Sequence, residues 1–382
     1  MVRMESRPPL PASTDVLVVG CGPAGSATAT WLARAGREVT VLDAATFPRD
    51  KTCGDGLTPR AMLEVDRLGL GSWARDRITI EGLELRGFGR SRRVPWPAGE
   101  HGGGRPRGGG PGFSQTAGAA GEHGGVGSAV RRTVFGGRLR QTGVDAGALV
   151  VDGVRVTGVE RGDDGEVTAV RAGDDRIACR TLVLADGVRS PVGRMLGRTW
   201  HRDTVYAVAA RSYVRSGRHD HPWIGSDLEL RDEAGAIQPG YGWVFPLGDG
   251  EVNLGVGALA TSSRPAGVAV KDLLHHYARS VRADWALDGE PRSVTAALLP
   301  GRRGRPWGRP SPTAGAPARL LTLPQSLPMA GPVGMRSQAL MTAAVRCMSN
   351  TVADSDRDVV ARGWRAAGSI ARRLDRRPLF AD

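Results

Sequence analysis

The chain has 382 residues, of which 52 are Lys or Arg and 39 are Asp or Glu, so its formal net charge is +13 at pH 7. This length is sufficient for two lobes around an adequate core. The charge favours anionic partners, but much of it lies in residues 98–128, residues 300–318 and the last thirty residues. No nucleic-acid-binding motif occurs, so we expect no nucleic acid partner. Four cysteines without Cys-x-x-Cys spacing indicate free thiols in a reducing cytoplasm. No secretory signal precedes Asp15, and no apolar run approaches the roughly 20 residues that span a bilayer.

Residues 15–43 predict a strand, a turn, a helix and a second strand in immediate succession. An apolar run from Val16 to Val19 predicts the first strand, and Val39 to Asp43 predicts the second. Proline is favoured in the first turn of a helix, because its missing N–H has no helical partner there. We therefore expect the helix to run from about Pro23 to Ala35 and to end at Gly36 in a left-handed cap.

The turn in this segment has the spacing of a dinucleotide-binding site. Gly20 permits the tight bend, Gly22 lets the backbone approach a pyrophosphate, and Gly25 allows the helix to pack closely on the strand. The phosphates would bind the free N–H groups at the helix start, where the helix dipole favours negative charge. Asp43 follows 23 residues after Gly20, in reach of a ribose hydroxyl. The predicted nucleotide-binding residues are Gly20, Gly22, Pro23, Ala24, Gly25 and Asp43.

Three further motifs follow the glycine turn. In chain order they are Arg49 to Arg60, which contains Cys53-Gly54-Asp55-Gly56; Thr181 to Ser190, which contains Asp186-Gly187; and Pro239 to Pro246, which contains Tyr241, Trp243 and Phe245. Together they resemble signatures of the geranylgeranyl reductase family, flavoproteins related to the para-hydroxybenzoate hydroxylase group. The third motif is similar to the Tyr-x-Trp-x-Phe-Pro substrate-pocket signature of prenyl reductases, and the segment from Leu320 is similar to the tail of menaquinone-type members.

The resemblance implies an FAD-dependent oxidoreductase that reduces double bonds of an isoprenoid chain, such as a geranylgeranyl group or the side chain of menaquinone. A reduced flavin delivers hydride to one alkene carbon and the other carbon needs a proton, so the site requires an apolar slot that excludes water. By resemblance, Asp186 and Gly187 help to hold the FAD. Tyr241, Trp243 and Phe245 would line the slot. The electron donor would be NAD(P)H or another reductant.

Several of these residues have two interpretations. By resemblance Cys53 faces the flavin ring, where it is either a catalytic proton donor or a small residue packed near the ring. Arg60 either pairs with a flavin phosphate or is a solvated helix residue. Asp55 belongs to the site or merely caps the turn, because Asp-Gly favours turns. Outside this context, Asp186-Gly187 would be an ordinary turn and Trp243 and Phe245 one face of a core strand.

Two stretches depart from the family pattern. Residues 98–128 are rich in glycine and cannot bury enough apolar surface to offset ordering entropy, so we expect a loop or disorder there. Residues 300–318 form a Pro, Gly and Arg-rich linker where the family would lead into a Gly-Asp-Ala-Ala motif that binds the flavin, and this motif is missing from the chain. We interpret both stretches as shifted reading frames; the alternative is a genuine insertion and a diverged cofactor segment.

The motifs imply an α/β protein with two domains. We expect a discontinuous, Rossmann-like FAD-binding domain of the para-hydroxybenzoate hydroxylase type, formed by residues 1–90, 150–200 and 320–382. An α+β substrate domain built on an antiparallel sheet would take residues 91–149 and 201–300, with strands in 205–213 and 242–257. His275 and His276 lie in a predicted helix and are interpreted as surface residues, so we expect no metal site.

Residues 354–374 predict a C-terminal amphipathic helix with an acidic start and basic positions. This helix is either a packed terminal helix or a segment that lies on an anionic membrane surface, where prenyl lipids and prenylated quinones reside. We therefore expect a cytoplasmic protein with an isoprenoid substrate, peripheral on the inner membrane face if the second interpretation holds. The alternative functions are an FAD-dependent monooxygenase or halogenase, and an inactive remnant that lacks the flavin-ring segment.

Overall fold

The computed structural model describes residues 9–96, 125–198, 206–260 and 269–300. The elements of this part of the chain are β1 (Ser13–Val19), α1 (Pro23–Arg34), β2 (Val39–Asp43), β3 (Gly56–Leu57), α2 (Pro59–Arg67), α3 (Gly71–Arg75), β4 (Ile78–Ile80), β5 (Gly82–Gly87), β6 (Arg90–Pro95), β7 (Gly127–Ala129), α4 (Arg132–Asp145), β8 (Leu149–Asp152), β9 (Gly158–Arg161), β10 (Val167–Ala172), β11 (Asp175–Leu184), α5 (Pro191–Met195), β12 (Tyr206–Ser216), β13 (Trp223–Asp227), β14 (Gly240–Pro246), β15 (Glu251–Ala260), α6 (Val270–Ser280) and β16 (Leu287–Pro300).

Residues 9–51 and 131–198 form a first compact unit around a six-stranded sheet of order β8-β2-β1-β11-β10-β9. The strands β8, β2, β1 and β11 are parallel, and β10 and β9 continue the sheet as an antiparallel meander. Val16 and Val18 pack on one face, together with Ala29 of α1, while Leu17 and Leu42 pack on the other. Apolar residues on both faces are typical of parallel strands that are covered on both sides.

The first unit contains the predicted strand–turn–helix–strand arrangement. Helix α1 begins at Pro23 and ends at Arg34, and Gly36 follows at φ +74° in the left-handed conformation, so the predicted helix and cap are confirmed. Helix α4 packs against α1 and leads into β8, which pairs with β2. A parallel strand needs a crossover segment, and α4 supplies it. The units divide after residues 51 and 130, whereas the sequence prediction puts residues 52–90 in the FAD-binding domain and 131–149 in the substrate domain.

Residues 52–96, 125–130, 206–260 and 269–300 form the second unit. Its main sheet has the order β16-β12-β15-β14-β13-β5-β6 and is antiparallel except where β13 runs parallel to β5. Helix α6 covers one face, where Leu274 and Tyr277 pack on Val244 and Leu254. An added Cβ at Gly242 would lie 2.4 Å from the Tyr277 ring, so glycine is required for this close packing.

The predicted α/β fold, with a Rossmann-like unit and a second α+β unit on an antiparallel sheet, is confirmed. The alternation in 205–213 and 242–257 forms β12 and the β14–β15 hairpin, and the predicted helix around His275 is α6. Residues 98–124, the linker after Pro300 and the C-terminal helix at 354–374 lie outside the described residues. Within the stretch predicted as a loop or disorder, Gly127 and Ser128 instead belong to the buried strand β7, because they pair with β3 and β4.

Candidate cofactor and substrate sites

The glycine turn of the first unit brings the end of β1, the start of α1 and the end of β11 into contact. Gly20 has φ +99°, and a Cβ there would lie 2.4 Å from the carbonyl oxygen of Ala185. A Cβ at Gly25 would lie 1.7 Å from the carbonyl oxygen of Gly20. These distances are far below van der Waals contact, so only glycine fits at either position.

The N-terminus of α1 presents unused hydrogen-bond donors. The backbone N–H of Ser26 bonds to the carbonyl of Gly22 at 2.9 Å, but the N–H groups of Gly22, Ala24 and Gly25 have no acceptor among the described residues. A Cβ at Gly22 would meet only one atom within 4 Å, Nη2 of Arg49 at 3.6 Å. Free N–H groups at a helix start beside an arginine fit a diphosphate, the group that FAD would present there.

Asp43 ends β2 and lies at this turn, as the sequence predicted. Its Oδ2 accepts a hydrogen bond from the backbone N–H of Cys21 at 2.6 Å, and its Oδ1 accepts one from the N–H of Ala45 at 2.9 Å. The carboxylate also pairs with Arg49 at 3.3 Å. The structure thus shows Asp43 anchoring the turn, while its contact with a ribose stays a prediction. Sequence reasoning missed Arg49, because no local pattern shows that the loop folds back to Gly22.

Asp186 and Gly187 lie next to the same turn. The backbone nitrogen of Asp186 would be 2.8 Å from a Cβ at Gly20. The Asp186 carboxylate accepts hydrogen bonds from the Ser190 hydroxyl at 2.5 Å and from the N–H of Val192 at 3.0 Å, so it caps α5. Gly187 has φ +88° with open space around its Cα. Their role toward the diphosphate stays a prediction.

In the second unit, Tyr241, Trp243 and Phe245 lie on the face of the sheet opposite α6, which we call the aromatic face. Trp243 stands opposite Gly255 of β15, and a Cβ at Gly255 would lie 2.1 Å from the indole ring. The indole therefore covers a position of β15 that carries no side chain. The Tyr241 and Trp243 rings are 5.6 Å apart. The predicted alternation on one face of a strand is confirmed.

The Cys53 turn packs on the ring of Phe245. A Cβ at Gly54 would lie 3.0 Å from this ring, and one at Gly56 would lie 2.3 Å from it. The two glycines of the motif therefore allow the turn to lie flat against Phe245. Cys53, which directly precedes Gly54, has a free and partly buried thiol.

A hydrogen-bond network connects the Cys53 turn to the sheet. The Asn253 side-chain amide donates to the Cys53 carbonyl at 2.7 Å and to the Asp55 carboxylate at 2.9 Å. The Tyr213 hydroxyl donates to the same Asp55 oxygen at 2.8 Å, and the Trp243 indole donates to Asn253 at 3.1 Å. Sequence reasoning left Asp55 as either a site residue or a turn cap, and it missed Tyr213 and Asn253, whose place depends on the register of three strands.

The remaining predicted groups differ in their surroundings. Burial, and to a smaller extent the neighbouring Cys53, raises the pKa of Tyr241 to about 12. The Tyr241 hydroxyl has no hydrogen-bond partner in the described part of the second unit. Arg60 lies on α2, where it pairs with Glu64 at 2.8 Å. This pairing suits the solvated interpretation, and the phosphate role stays a prediction.

Two other kinds of feature are absent from the described residues. These residues contain no group of three or more His, Cys, Asp or Glu side chains arranged to hold a metal ion. They also contain no helix that is long and apolar enough to cross a membrane.

Known proteins are similar to this chain in sequence and in fold. The sequence profile of the FAD binding domain family matches residues 13–227. A menaquinone reductase of Mycobacterium tuberculosis is 44% identical over 425 aligned positions, which cover 97% of this chain and 99% of the relative. The alignment has more positions than the 382 residues of the chain, so this chain has gaps opposite part of the relative.

Two further matches are more distant. A digeranylgeranylglycerophospholipid reductase of Methanopyrus kandleri is 31% identical over 271 residues, covering 68% of this chain and 61% of the relative. A crystal structure of a geranylgeranyl bacteriochlorophyll reductase-like protein of Thermoplasma acidophilum superimposes with a TM-score of 0.61 at 19% identity, over 94% of this chain and 88% of the other. At that identity the superposition shows the fold alone.

Proposed function

We propose that this chain, which belongs to the geranylgeranyl reductase family of FAD-dependent oxidoreductases, reduces carbon–carbon double bonds of an isoprenoid chain. We place the side chain of menaquinone first among substrates, because the relative that matches nearly the whole chain is a menaquinone reductase. The structural observation that supports the proposal most is the aromatic face, where the Cys53 turn packs on Phe245 beside Tyr241 and Trp243.

The first unit would hold the ADP half of FAD. Its phosphates would accept hydrogen bonds from the N–H groups of Gly22 and Gly25, and the Arg49 guanidinium would offset part of their charge. Asp43 would accept a hydrogen bond from the ribose, and Asp186 would orient the backbone beside the diphosphate. The chemistry that reduced FAD supplies is hydride transfer to one carbon of the double bond.

The second unit would bind the isoprenoid. Aromatic rings on a sheet face offer apolar surface that excludes water from a hydrocarbon chain. The second alkene carbon needs a proton, and Cys53 Sγ is either its donor or a small group that leaves room for the ring and the substrate. The Tyr241 phenol stays protonated and offers one hydrogen bond to a ligand. We expect NAD(P)H or another cellular reductant as the source of electrons.

The test uses the full chain reconstituted with FAD and reduced anaerobically by NADPH, NADH or dithionite. Menaquinone in detergent should gain two hydrogen atoms per reduced double bond, measured by mass spectrometry. We expect Tyr241→Ala to lower kcat/KM at least about tenfold through lost contact with the chain. Tyr206→Ala is the matched control, because Tyr206 of β12 is also partly exposed but lies on the α6 face. Equal activity of the two variants would contradict the assignment of the aromatic face.

The same assay separates the two alternative functions. Oxygen consumption coupled to an oxygenated or halogenated product would favour a monooxygenase or halogenase. A preparation that stays colourless after addition of FAD would favour an inactive remnant, in line with the missing Gly-Asp-Ala-Ala motif. Resequencing the gene would then show whether a restored reading frame contains that motif.

We also propose that the protein works in the cytoplasm and contacts the inner membrane face, where its lipid substrate would lie. The net charge of +13 supports attraction to anionic lipids. Flotation with phosphatidylglycerol vesicles should recover the protein at low salt, and vesicles of phosphatidylcholine alone should not. Equal recovery with both lipids, or none with either, would contradict this contact.

A further inference from the structure

The Cys53 turn is held at a residue whose backbone is unusual. Asp55 is only 1% exposed and has φ +67°, a conformation that residues other than glycine seldom adopt. Such a conformation persists where the surroundings determine it, and it is concentrated at functional sites.

Two donors from the sheet meet on one oxygen of Asp55. The Tyr213 hydroxyl and the Asn253 amide both donate to Oδ2, at 2.8 and 2.9 Å. Tyr213 and Asn253 are direct partners across β12 and β15, and Asn253 is in turn the partner of Phe245 on β14. Phe245, on which the turn packs, and the two donors therefore lie in one cross-strand row.

Every polar atom of the Asn253 side chain is used within this network. Besides Asp55, its amide nitrogen donates to the Cys53 carbonyl at 2.7 Å, and its oxygen accepts from Trp243 at 3.1 Å. The residue is fully buried, so any lost bond would leave a polar atom without water. The guanidinium of Arg211 lies over the face of the Tyr213 ring, 4.4 Å from its centre, in a cation–π contact that helps to hold the ring.

We infer that Asp55, Tyr213 and Asn253 are positioning residues that hold Cys53 in one place on the aromatic face. We call these three residues the Asp55 clamp. Asn253 fixes the Cys53 backbone directly, and Tyr213 fixes it through Asp55. The inference rests on the proposed function only in making Cys53 a part of the reaction site; the position of the thiol can be measured without it.

The first experiment measures the accessibility of the Cys53 thiol in the ligand-free, full-length protein. Iodoacetamide alkylation is followed residue by residue by mass spectrometry, with the buried Cys179 as the internal reference. Tyr213→Phe removes one hydroxyl from the clamp. Its matched control is Tyr277→Phe, which removes the hydroxyl that bonds to Asp227 on the α6 face of the same sheet. Both tyrosines are buried.

We expect Tyr213→Phe to raise the alkylation rate of Cys53 about tenfold, the factor that one lost hydrogen bond provides, with no change at Cys179. Tyr277→Phe should leave the Cys53 rate at the wild-type value. Equal Cys53 rates in the two variants would overturn the inference. A rise at Cys53 and Cys179 together would also overturn it, because that result indicates general loosening.

Asn253→Leu gives a second measurement, since leucine is similar in size and forms no hydrogen bonds. We expect a larger rise at Cys53 than in Tyr213→Phe; if this variant does not fold, Tyr213→Phe alone decides. In the lipid assay, a positioning role predicts that Tyr213→Phe lowers kcat at least about tenfold and changes KM less than threefold. Absence of turnover in the wild type counts against the proposed function, whereas an unchanged Cys53 alkylation rate counts against the clamp.

Discussion

Replacing Gly22 by alanine should weaken dinucleotide binding strongly and leave the stability of the first unit nearly unchanged. Gly22 has φ −71° and ψ −178°, an extended conformation that any residue adopts. Alanine there reduces the entropy of the unfolded chain, which stabilises by about 0.4–1 kcal/mol. Alanine is also a poorer helix N-cap than glycine by about 0.5–1 kcal/mol. The two effects nearly cancel, so the net change should be within about 0.5 kcal/mol.

The effect on the ligand is much larger. The added methyl group would meet only Arg49 at 3.6 Å within the protein, so it would project into the space in front of the free N–H groups. A phosphate must come within about 3 Å of those nitrogens to accept their hydrogen bonds. Each charge-assisted bond contributes about 1.5–3 kcal/mol, so losing one raises the Kd about ten- to hundredfold.

The assay combines urea unfolding without ligand and FAD titration followed by quenching of flavin fluorescence. Gly36→Ala is the control with the opposite pattern: its φ of +74° imposes a backbone cost of about 1–2 kcal/mol, but open space surrounds the added methyl. It should therefore lower stability and leave the FAD affinity unchanged. Wild-type affinity in Gly22→Ala would refute the assignment of the diphosphate to the start of α1.

Three further changes test neighbouring parts of the structure. Gly25→Ala should lower the free energy of unfolding by about 3 kcal/mol or more, measured by urea unfolding, because its methyl group would collide with the Gly20 carbonyl. Arg49→Met should raise the FAD Kd about tenfold and flatten its salt dependence, measured by titration between low and high salt. Burial acts to raise the pKa of Glu84, but the hydrogen bond with His221 and the nearby arginines lower it overall. Glu84→Gln should therefore be less stable than the wild type above pH 4.5 and equally stable well below it, as measured by acid titrations of unfolding.

The first unit was predictable from sequence because its signals are local. Pro23 at the first turn, Gly36 after the last turn and the apolar runs of β1 and β2 each act within a few residues. The path of the loop after Asp43 carries no such signal, so the contact of Arg49 with Gly22 could not be foreseen. The crossover helix α4 was assigned to the other domain for the same reason, since only the pairing of β8 with β2 shows where it belongs.

The second unit shows more clearly which contacts cannot be predicted from sequence. Alternation along β14 was sufficient to place Tyr241, Trp243 and Phe245 on one face, because side chains in a strand point alternately to its two sides. Alternation within one strand does not tell which residue of another strand stands opposite. The contact of Asp55 with Tyr213 spans 158 positions in the chain, and only the register of the sheet creates it.

The acid–base properties of the aromatic face restrict how a proton can move there. Because burial and Cys53 raise the pKa of Tyr241 from 10 to about 12, the protonated phenol contributes stability that is fully present below pH 10 and is lost between pH 10 and about 12. The phenol can therefore donate a hydrogen bond at neutral pH without ionising. A negative charge at Cys53 would hold the Tyr241 proton more firmly. If Cys53 donates the proton in the proposed reaction, the raised pKa of Tyr241 makes this phenol a poor source of the proton that restores the thiol.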